Sequence, residues 1–370
     1  MSTGSVARIR GATEVPSDAL GVRPAIPAAA VPSLSPNRRA WIRFRRNRVG
    51  YLSLWILGFL LVLSTFAELL SNDAPLVAHY DGRTSFPLFR NPPETQFGGD
   101  FGTPTDWKDP FITAQFAKPG NWAFFTFNPH SANSIDYFEK TPSPAAPSAQ
   151  DWLGTDSNGH DMVARLLYGF RVSIWFAFAL TFVGTVLGVT AGALQGYFGG
   201  HIDLFAQRLL EIWGAIPELY LLIIFASIFE PSLLLLLVLL SAWGWIGLSA
   251  YVRAEFLRNR SLEFVKAARA LGLSNAQIIW RHVLPNSLTP VITFLPFRMG
   301  DAIVALTALD FLGLGVPPST PSLGDLLRQG KNNLDAWWII LPTFMLLVVT
   351  MLLLNFIGDA LRDAFDTRKS

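Results

Sequence analysis

Side chains that could do chemistry are few in this chain and widely separated. It has no cysteine, which excludes thiol nucleophiles, disulfides and cysteine-ligated metal centres. No Gly-x-x-x-x-Gly-Lys-[Ser/Thr] loop occurs in the sequence, so it has no P-loop for ATP phosphates. The five histidines fall in different segments, with no pair at metal-ligand spacing: His79, His130, His160, His201 and His282. We therefore expect no catalytic residue, metal site or cofactor on this chain.

Two ionisable residues stand inside a mostly apolar run. Arg298 and Asp301 are three residues apart, which places them near one face of a helix. Charged groups at membrane depth usually face a protein interior or a wet path, because exposure to lipid costs about 2.5–3.5 kcal/mol on insertion scales. We interpret the two residues as a local ion pair, with a lining contact on a translocation path as the alternative. Glu211 and Glu218 are assigned to the inner end of a neighbouring span, with no substrate role.

The elements that must position these residues are membrane helices. The chain has 370 residues, of which 51% are hydrophobic and only 15% charged, against roughly 25% charged in a soluble domain. This composition fits neither a disordered chain nor a soluble enzyme. A helix needs about 20 apolar residues to cross a bilayer. Six such runs predict an all-α membrane protein, and they cover residues 51–70, 172–194, 209–229, 232–252, 288–309 and 336–357.

The distribution of Lys and Arg sets the orientation of these spans. With the N-terminus inside, 19 of the 29 basic residues fall in cytoplasmic segments and eight in external ones. The asymmetry predicts that both termini lie in the cytoplasm.

The segments outside the spans differ in composition. Residues 1–35 are rich in Ala, Pro and Ser and predict a disordered tail, and residues 364–370 form a second cytoplasmic tail. Residues 36–50 combine six arginines with aromatic side chains, which predicts a basic interfacial helix; a positive-inside anchor without a helix is the alternative. Residues 71–170 predict an irregular external insert, closed by a stiff Pro-rich linker at residues 141–147.

Glycines recur every fourth residue along the second span. This spacing places the first of them on one helix face, where another backbone can approach closely. We expect packing within the chain, with a surface for a second membrane subunit as the alternative. The glycines are Gly184, Gly188, Gly192, Gly196 and Gly200.

The cytoplasmic loop between the fourth and fifth spans predicts two short helices that meet at a bend. Ser261 is expected to cap the first helix, and Gly272 to end it with a positive φ. Ser274 and Gln277 have the spacing of a capping box for the second helix, which Pro285 is expected to stop. We call this loop, residues 261–286, the elbow. Its shape is suited to a cleft on another protein, and a plain amphipathic connector is the alternative.

The elbow resembles the EAA loop of ATP-binding-cassette (ABC) importer permeases. The family pattern has two alanines, a glycine four residues later and a terminal Leu-Pro. In this sequence the matching residues are Ala267, Ala268, Gly272, Leu284 and Pro285. Lys266 stands where the family usually has Glu. The resemblance implies that Lys266 and these five residues couple the chain to an ATPase.

Two further stretches resemble the dipeptide and oligopeptide branch of the same family. The first, residues 152–161 running into residues 165–169, matches the branch signature before the second span, with His160 where Arg is usual. For its residues we expect a turn that fixes the start of the next helix, rather than direct contact with substrate, and docking of the external binding protein is the alternative. These residues are Gly154, Thr155, Asp156, Gly159 and Asp161. The second stretch comprises residues 309–315, 321–324 and 358–363.

The resemblance covers residues 38–70 and 150–368 and implies a type I ABC importer fold, with its core at residues 171–363. It implies a bacterial inner-membrane subunit that moves peptides by alternating access and leaves ATP and Mg to its partners. Those partners are a second permease subunit, two ATP-binding subunits or one fused subunit, a periplasmic peptide-binding protein and membrane lipid, but no nucleic acid. The long insert is similar to that of Yej-type subunits associated with oligopeptide and microcin C uptake.

Two functions of other classes compete with this interpretation. An ATP-independent secondary transporter predicts inverted repeats and a midplane ion site, and no such repeat is evident. A membrane-anchored receptor or scaffold built around the insert leaves the elbow unexplained. Peptide length and side-chain preference do not follow from the sequence.

Overall fold

The computed structural model of the chain describes residues 35–135 and 142–366. The predicted tail at residues 1–35 therefore lies outside the described residues, except for Ser35. Only the first three residues of the predicted tail at residues 364–370 are described.

The described part of the chain is mostly helical. Five helical segments are long and apolar enough to cross a membrane, and a bent pair of shorter helices counts as a sixth span. The six spans are α2 (Arg48–Thr65), α5 (Met162–Phe198), the pair α6 (Gly200–Gly214) and α7 (Glu218–Ile228), the pair α8 (Leu233–Gly244) and α9 (Ile246–Asn259), α13 (Thr289–Phe311) and α15 (Trp337–Phe365). This architecture agrees with the predicted all-α membrane protein of six spans.

A basic helix, α1 (Pro36–Arg46), precedes the first span, as the sequence predicts. Its apolar face is buried, with Ala40 and Phe44 packed against Ala360 and Ala364 of α15. Arg43 also donates a hydrogen bond to the carbonyl of Asp366 (3.0 Å). The alternative of an anchor without a helix is therefore wrong.

The first span differs in its limits from the predicted 51–70. Helix α2 begins after Asn47, whose side chain accepts a hydrogen bond from the Gly50 N–H, and it ends at Thr65. The short helix α3 (Ala67–Leu70) follows it. Glu68 of α3 pairs with Arg171 (2.6 Å), which ties the end of the first span to α5.

Helix α5 is 37 residues long and begins at Met162, where the Asp161 carboxylate caps it by accepting the Ala164 N–H. At 1.5 Å per residue it measures about 55 Å, well beyond the roughly 30 Å hydrocarbon layer. The helix therefore extends beyond the predicted span 172–194 at both ends, and its first turns belong to the residues assigned to the insert. Arg165 in these turns is buried and paired (below).

The third span is broken rather than continuous over 209–229. Helices α6 and α7 meet at an angle of 61°, and Pro217 occupies the N-cap position of α7. Proline fixes φ and lacks an N–H, so a helix readily restarts there but does not run through. The break sets Glu218 at the first turn of α7.

Between α9 and α13 lie the helices of the elbow. They are α10 (Glu263–Ala270), α11 (Asn275–Ile278), a π turn at Ile279–Val283 and α12 (Leu284–Ser287). The capping box of Ser274 with Gln277 is present, and Gly272 has φ +80°, both as predicted.

Two local predictions for the elbow are wrong. Leu262, not Ser261, occupies the N-cap position of α10, because the Ser261 hydroxyl instead donates to the Arg258 carbonyl (2.8 Å). Pro285 does not stop the second helix, which continues to Ser287. The π turn just before Pro285 widens the helix, and this geometry accommodates the proline ring and its missing N–H.

The membrane core lies among α5, α8, α13 and α15. Its buried side chains include Ile174, Leu240, Ile303 and Leu354, one from each helix. Helix α14 (Leu323–Asn332) covers the outer end and packs Leu326 against Ile339 of α15.

The external insert contains a small ordered core. Strands β1 (Val77–Tyr80), β2 (Arg83–Ser85) and β3 (Trp122–Phe124) form an antiparallel sheet in the order β2-β1-β3, with Ala78 opposite Ser85 and Ala123. Helix α4 (Pro110–Phe116) closes one side. Phe97, Trp107 and Phe116 stack edge to face or tilted beneath the sheet, with centroids 5.2–5.3 Å apart.

Candidate functional site

The elbow exposes apolar side chains on both sides of its bend. Leu271 is 80% exposed and Trp280 71% exposed, whereas Val265 and Ala268 are buried against the chain. An added Cβ at Gly272 would meet nothing within 4 Å, so the glycine serves the left-handed backbone conformation and not a close packing contact. An exposed apolar tip on a loop between two spans is typical of a surface that another protein covers.

Lys266, which stands where the family usually has Glu, forms an ion pair within its own helix. Lys266 donates to Glu263 one helical turn earlier (2.8 Å), and both side chains are largely exposed. Such a surface pair contributes little to stability. Ala267, next to Lys266, and Pro285, after the π turn, are both exposed. Leu284 instead packs against the buried cluster that contains Val265 and Ala268.

Hydrogen bonds attach the elbow to the long helices. The Tyr197 hydroxyl, in the last turn of α5, donates to Asn275 Oδ1 (2.7 Å). Asn259, which ends α9, donates to the Ser287 hydroxyl (2.8 Å). Because both contacts involve buried or half-buried groups, a displacement of the elbow reaches α5 and α9 directly.

The glycines of α5 lie against α9 of the same chain. An added Cβ at Gly192 would lie 2.5 Å from the Ser249 carbonyl oxygen, and one at Gly188 would lie 3.0 Å from that of Trp245. An added Cβ at Gly184 would instead lie 2.6 Å from Nη2 of Arg298. The glycine face is thus filled by the chain's own helices, so these residues are not free to receive a second subunit.

The residues before α5 form a tight turn, as expected for the signature. Gly154 and Gly159 have φ values of +71° and +87°. Thr155 exchanges hydrogen bonds with Ala145, whose N–H donates to Thr155 Oγ1 (2.8 Å) and whose carbonyl accepts the Thr155 N–H (2.9 Å). The described part of the predicted linker, residues 142–147, is therefore packed onto the turn and is not a free spacer.

Asp156 is the buried centre of this turn. Its Oδ1 accepts hydrogen bonds from the N–H groups of Asn158 (2.8 Å) and His160 (2.9 Å). Burial alone would raise the pKa of the Asp156 carboxyl, but the side-chain and backbone hydrogen bonds from His160 and the charges of His160 and Arg165 outweigh burial. The pKa of Asp156 is therefore held below its ordinary value.

Arg165, whose position the sequence did not reveal, joins this turn to α14. The fully buried guanidinium lies 3.6 Å from Asp156 and 3.7 Å from Asp325. Gln329 of α14 donates to Asp325 (2.7 Å) and accepts the N–H of Ser157 (2.9 Å). The turn at residues 152–161 and helix α14, about 170 residues apart in sequence, therefore share one buried polar network.

A second network ties the insert to α5. Asn128 donates from one amide nitrogen to Ser71 Oγ (3.0 Å) and to Asp161 Oδ1 (2.7 Å). The Tyr168 hydroxyl donates to the Ser71 carbonyl (2.8 Å). Asp161 thus caps α5 and anchors the insert at the same time.

Arg298 and Asp301 line a cavity of about 250 Å³ between the spans. Among the described residues they do not form the expected ion pair, since no carboxylate lies within 4.0 Å of Arg298. Arg298 instead donates to the Gly244 carbonyl at the end of α8 (2.9 Å). Glu218 lines the same cavity and lies at the break of the bent third span, not at the inner end of that span. The sequence shows that this run is interrupted by Glu211, Pro217 and Glu218, but it does not show that the break places Glu218 at the cavity of Arg298 and Asp301.

Within residues 35–135 and 142–366, no three His, Asp or Glu side chains are grouped so that they could hold a metal ion.

Comparison with known proteins gives the family. Residues 184–370, half of the chain, match the model for the binding-protein-dependent transport system inner membrane component. Residues 35–93 match the N-terminal transmembrane domain of oligopeptide transport permease C. The chain belongs to the binding-protein-dependent inner membrane component family. It is therefore an ABC permease, a multi-pass inner-membrane transport subunit, and the predicted type I importer fold is that of its family.

Curated relatives extend over almost the whole permease. The inner membrane ABC transporter permease protein YejE of Escherichia coli is 47% identical over 91% of this chain and 99% of its own length. The peptidoglycan transport system permease protein YejE of Agrobacterium fabrum is 44% identical over 92% of this chain. The dipeptide transport system permease protein DppC of Lactococcus lactis is 29% identical over 92%. These matches argue against the secondary transporter and the receptor or scaffold.

Proposed function

We propose that the permease is one of two membrane subunits of an ATP-driven importer that carries peptides across the bacterial inner membrane. The observation that carries this proposal is the elbow, with its apolar tip exposed and its base hydrogen-bonded to α5, which lines the charged cavity, and to α9. The names of the relatives, which specify dipeptide and peptidoglycan transport, support peptides as the substrate class. Peptide antibiotics of the microcin C kind belong to the same class.

The partners follow from what the chain lacks and what it exposes. Two ATP-binding subunits, or one fused subunit, receive the elbow and hydrolyse ATP with Mg. A second permease completes the membrane path, and a periplasmic peptide-binding protein delivers the substrate on the outer side. Both termini lie in the cytoplasm in this arrangement, on the same side as the elbow.

The contacts of the elbow define how ATPase motion reaches the substrate. Lys266, Ala267 and Gly272 are exposed and form the docking surface around the bend, with Ala268 buried beneath it. Leu284 and Pro285 begin α12, which leads back to the membrane. Tyr197 and Asn259 pass the displacement into α5 and α9. Thr181, at the cavity, lies 16 residues before Tyr197 on α5, about 24 Å along a straight helix. A rigid-body shift of these helices would open the cavity to alternate sides of the membrane.

The signature turn serves as a brace in this mechanism. Its two glycines, Gly154 and Gly159, adopt positive φ angles that the turn requires. Its polar residues form hydrogen bonds within the chain, and they are Thr155, Asp156 and Asp161. The brace keeps the outer ends of α5, α14 and α15 together while their inner ends respond to the elbow.

Purification of the tagged permease with its neighbouring gene products tests the proposed assembly. We expect mass spectrometry to find a second permease and ATP-binding subunits, and we expect ATPase activity to rise when a peptide-loaded binding protein is added. A permease that purifies alone, and transports in liposomes without ATP, would overturn the proposal.

A further inference from the structure

The charged cavity between the spans is built by four helical elements. Thr181 comes from α5, Glu218 from α7, Gly244 from α8, and Arg298 and Asp301 from α13. Contributions from four elements mean that any movement of the spans against one another changes the shape of the cavity. The contacts of a molecule bound there would therefore differ between the outward and inward states of the permease.

Two residues that line this cavity carry a buried polar atom with no hydrogen-bond partner among the described residues. They are Thr181, which is 5% exposed, with its Oγ1, and Arg298 with its Nε. Thr343 and Thr350 of α15 instead donate to the carbonyl four residues earlier. A buried hydroxyl without a partner costs about 1–3 kcal/mol, so a ligand that reached the Thr181 hydroxyl through a side-chain rotation would remove this cost.

The charges of the cavity select the sign of that ligand. Glu218 and Asp301 supply two carboxylates against the single guanidinium of Arg298. Arg298 is held to the cavity wall by the hydrogen bond that it donates to the Gly244 carbonyl. Charges in a low-dielectric region interact strongly, and the excess of one carboxylate favours a cation.

We propose that this cavity receives the free N-terminal ammonium group of a peptide, with Glu218 and Asp301 as its acceptors and Thr181 as a hydrogen-bond partner for the first peptide group. The inference rests on the proposed function and specifies its substrate. At about 250 Å³ the cavity is smaller than the roughly 300–1,000 Å³ typical of ligand pockets. It therefore holds the end of a peptide, not a whole oligopeptide, and it recognises groups that all unblocked peptides share.

The test uses the complete transporter in proteoliposomes with its binding protein and enclosed ATP. Uptake of trialanine is compared with uptake of N-acetyl-trialanine, which lacks the ammonium group. The binding protein's affinity for both peptides is measured separately by calorimetry, and the uptake ratio is corrected for it. The variants are Glu218→Gln, Asp301→Asn and Thr181→Val, and Glu230→Gln is the matched control because Glu230 is exposed and lies outside this cavity.

We expect the parent to prefer trialanine by roughly tenfold or more, the value of one charge-assisted hydrogen bond. In Glu218→Gln and Asp301→Asn the preference should fall towards one, and Glu230→Gln should keep it. An unchanged preference in both variants, with uptake by the parent still dependent on ATP, would overturn the inference and leave the proposed function standing. Absence of ATP-dependent peptide uptake by the parent would overturn both.

Thr181→Val keeps the test decisive if the charge variants do not assemble. Valine matches the shape of threonine but has no hydroxyl, so the helix packing is preserved. We expect a several-fold loss of trialanine uptake with normal assembly. Full uptake by this variant, at parental expression, would count against the inference.

Discussion

The Nε of Arg165 lies 3.6 Å from Oδ2 of Asp156, and both side chains are completely buried. The same guanidinium lies 3.7 Å from Asp325 on α14. One cation thus joins the turn before the second span to the helix that covers the outer end of the core. This contact joins two parts of the chain that are 160 residues apart in sequence.

Loss of the Asp156 charge should destabilise the permease. Asp156→Asn removes a negative charge that compensates the buried positive charge of Arg165. Breaking a buried ion pair costs roughly 3–5 kcal/mol. Because the distances exceed hydrogen-bond length, we expect the lower end of this range, about 3 kcal/mol. Thermal unfolding in detergent measures it. Asp100→Asn, at an exposed position of the insert, is the control and should leave the melting temperature unchanged.

The contribution of Asp156 should depend on pH in a defined direction. The pKa of this carboxyl is lowered in the folded chain from its ordinary value of 3.8, so folding favours the ionised form. The stabilisation is therefore fully present above pH 3.8 and is lost as the pH falls through the lowered pKa. The difference in stability between the parent and Asp156→Asn should shrink as the pH falls below 3.8. A difference that does not shrink there would contradict this assignment.

Addition of a single methyl group at Gly192 should disturb the contact of α5 with α9. The new Cβ would lie 2.5 Å from a backbone oxygen, which cannot rotate away, so the helices must separate. Overpacking of this kind costs about 1–3 kcal/mol. We expect Gly192→Ala to lower the melting temperature, whereas Gly58→Ala, with open space around it, should not. Equal behaviour of the two variants would show that the glycine face is not tightly packed.

A bulky residue at the bend should separate assembly from transport. Gly272 has φ +80° with open space around it, so Gly272→Phe strains the bend by about 1–2 kcal/mol and places a ring on the docking surface. We expect normal membrane insertion and loss of uptake. Gly82→Phe is a matched control, because Gly82 has φ +75° and open space but lies in the insert. Normal uptake by a well-expressed Gly272→Phe variant would refute the role of the elbow.

Removal of one hydroxyl should weaken the transmission from the elbow to α5. Tyr197→Phe deletes the hydrogen bond to Asn275 but keeps the ring in place. A neutral hydrogen bond contributes about 0.5–1.5 kcal/mol, so uptake per ATP hydrolysed should fall by roughly two- to tenfold. The ratio of peptide uptake to phosphate release measures it. Tyr220→Phe, at an exposed position on α7, should retain the parental ratio. A parental ratio in Tyr197→Phe would exclude this contact from the coupling path.

Features set by neighbouring residues could be predicted from the sequence. The length of the apolar runs predicted the spans, the spacing of Ser274 and Gln277 predicted the capping box, and Gly272 predicted the bend. Each of these features depends on residues within one continuous segment of the chain. The prediction for Pro285 failed even at this range, because the π turn before it is a rare alternative to the expected stop.

Contacts between residues that are far apart in sequence could not be predicted from the sequence. Arg165 looked extramembrane because charge normally marks a boundary, and its partner Asp325 lies 160 residues away. The sequence assigns Glu218 to the inner end of its span, but the break at Pro217 places it at the cavity of Arg298 and Asp301. Such meetings depend on how the helices pack together, which hydrophobic periodicity does not encode.

The central claim is that ATP hydrolysis by partner subunits drives peptide import through this permease. ATP-dependent accumulation of labelled trialanine in proteoliposomes that contain the full assembly tests it most directly. We predict accumulation above the external concentration only when ATP, the binding protein and this permease are all present. Equal accumulation without ATP, or with the permease omitted, would contradict the account.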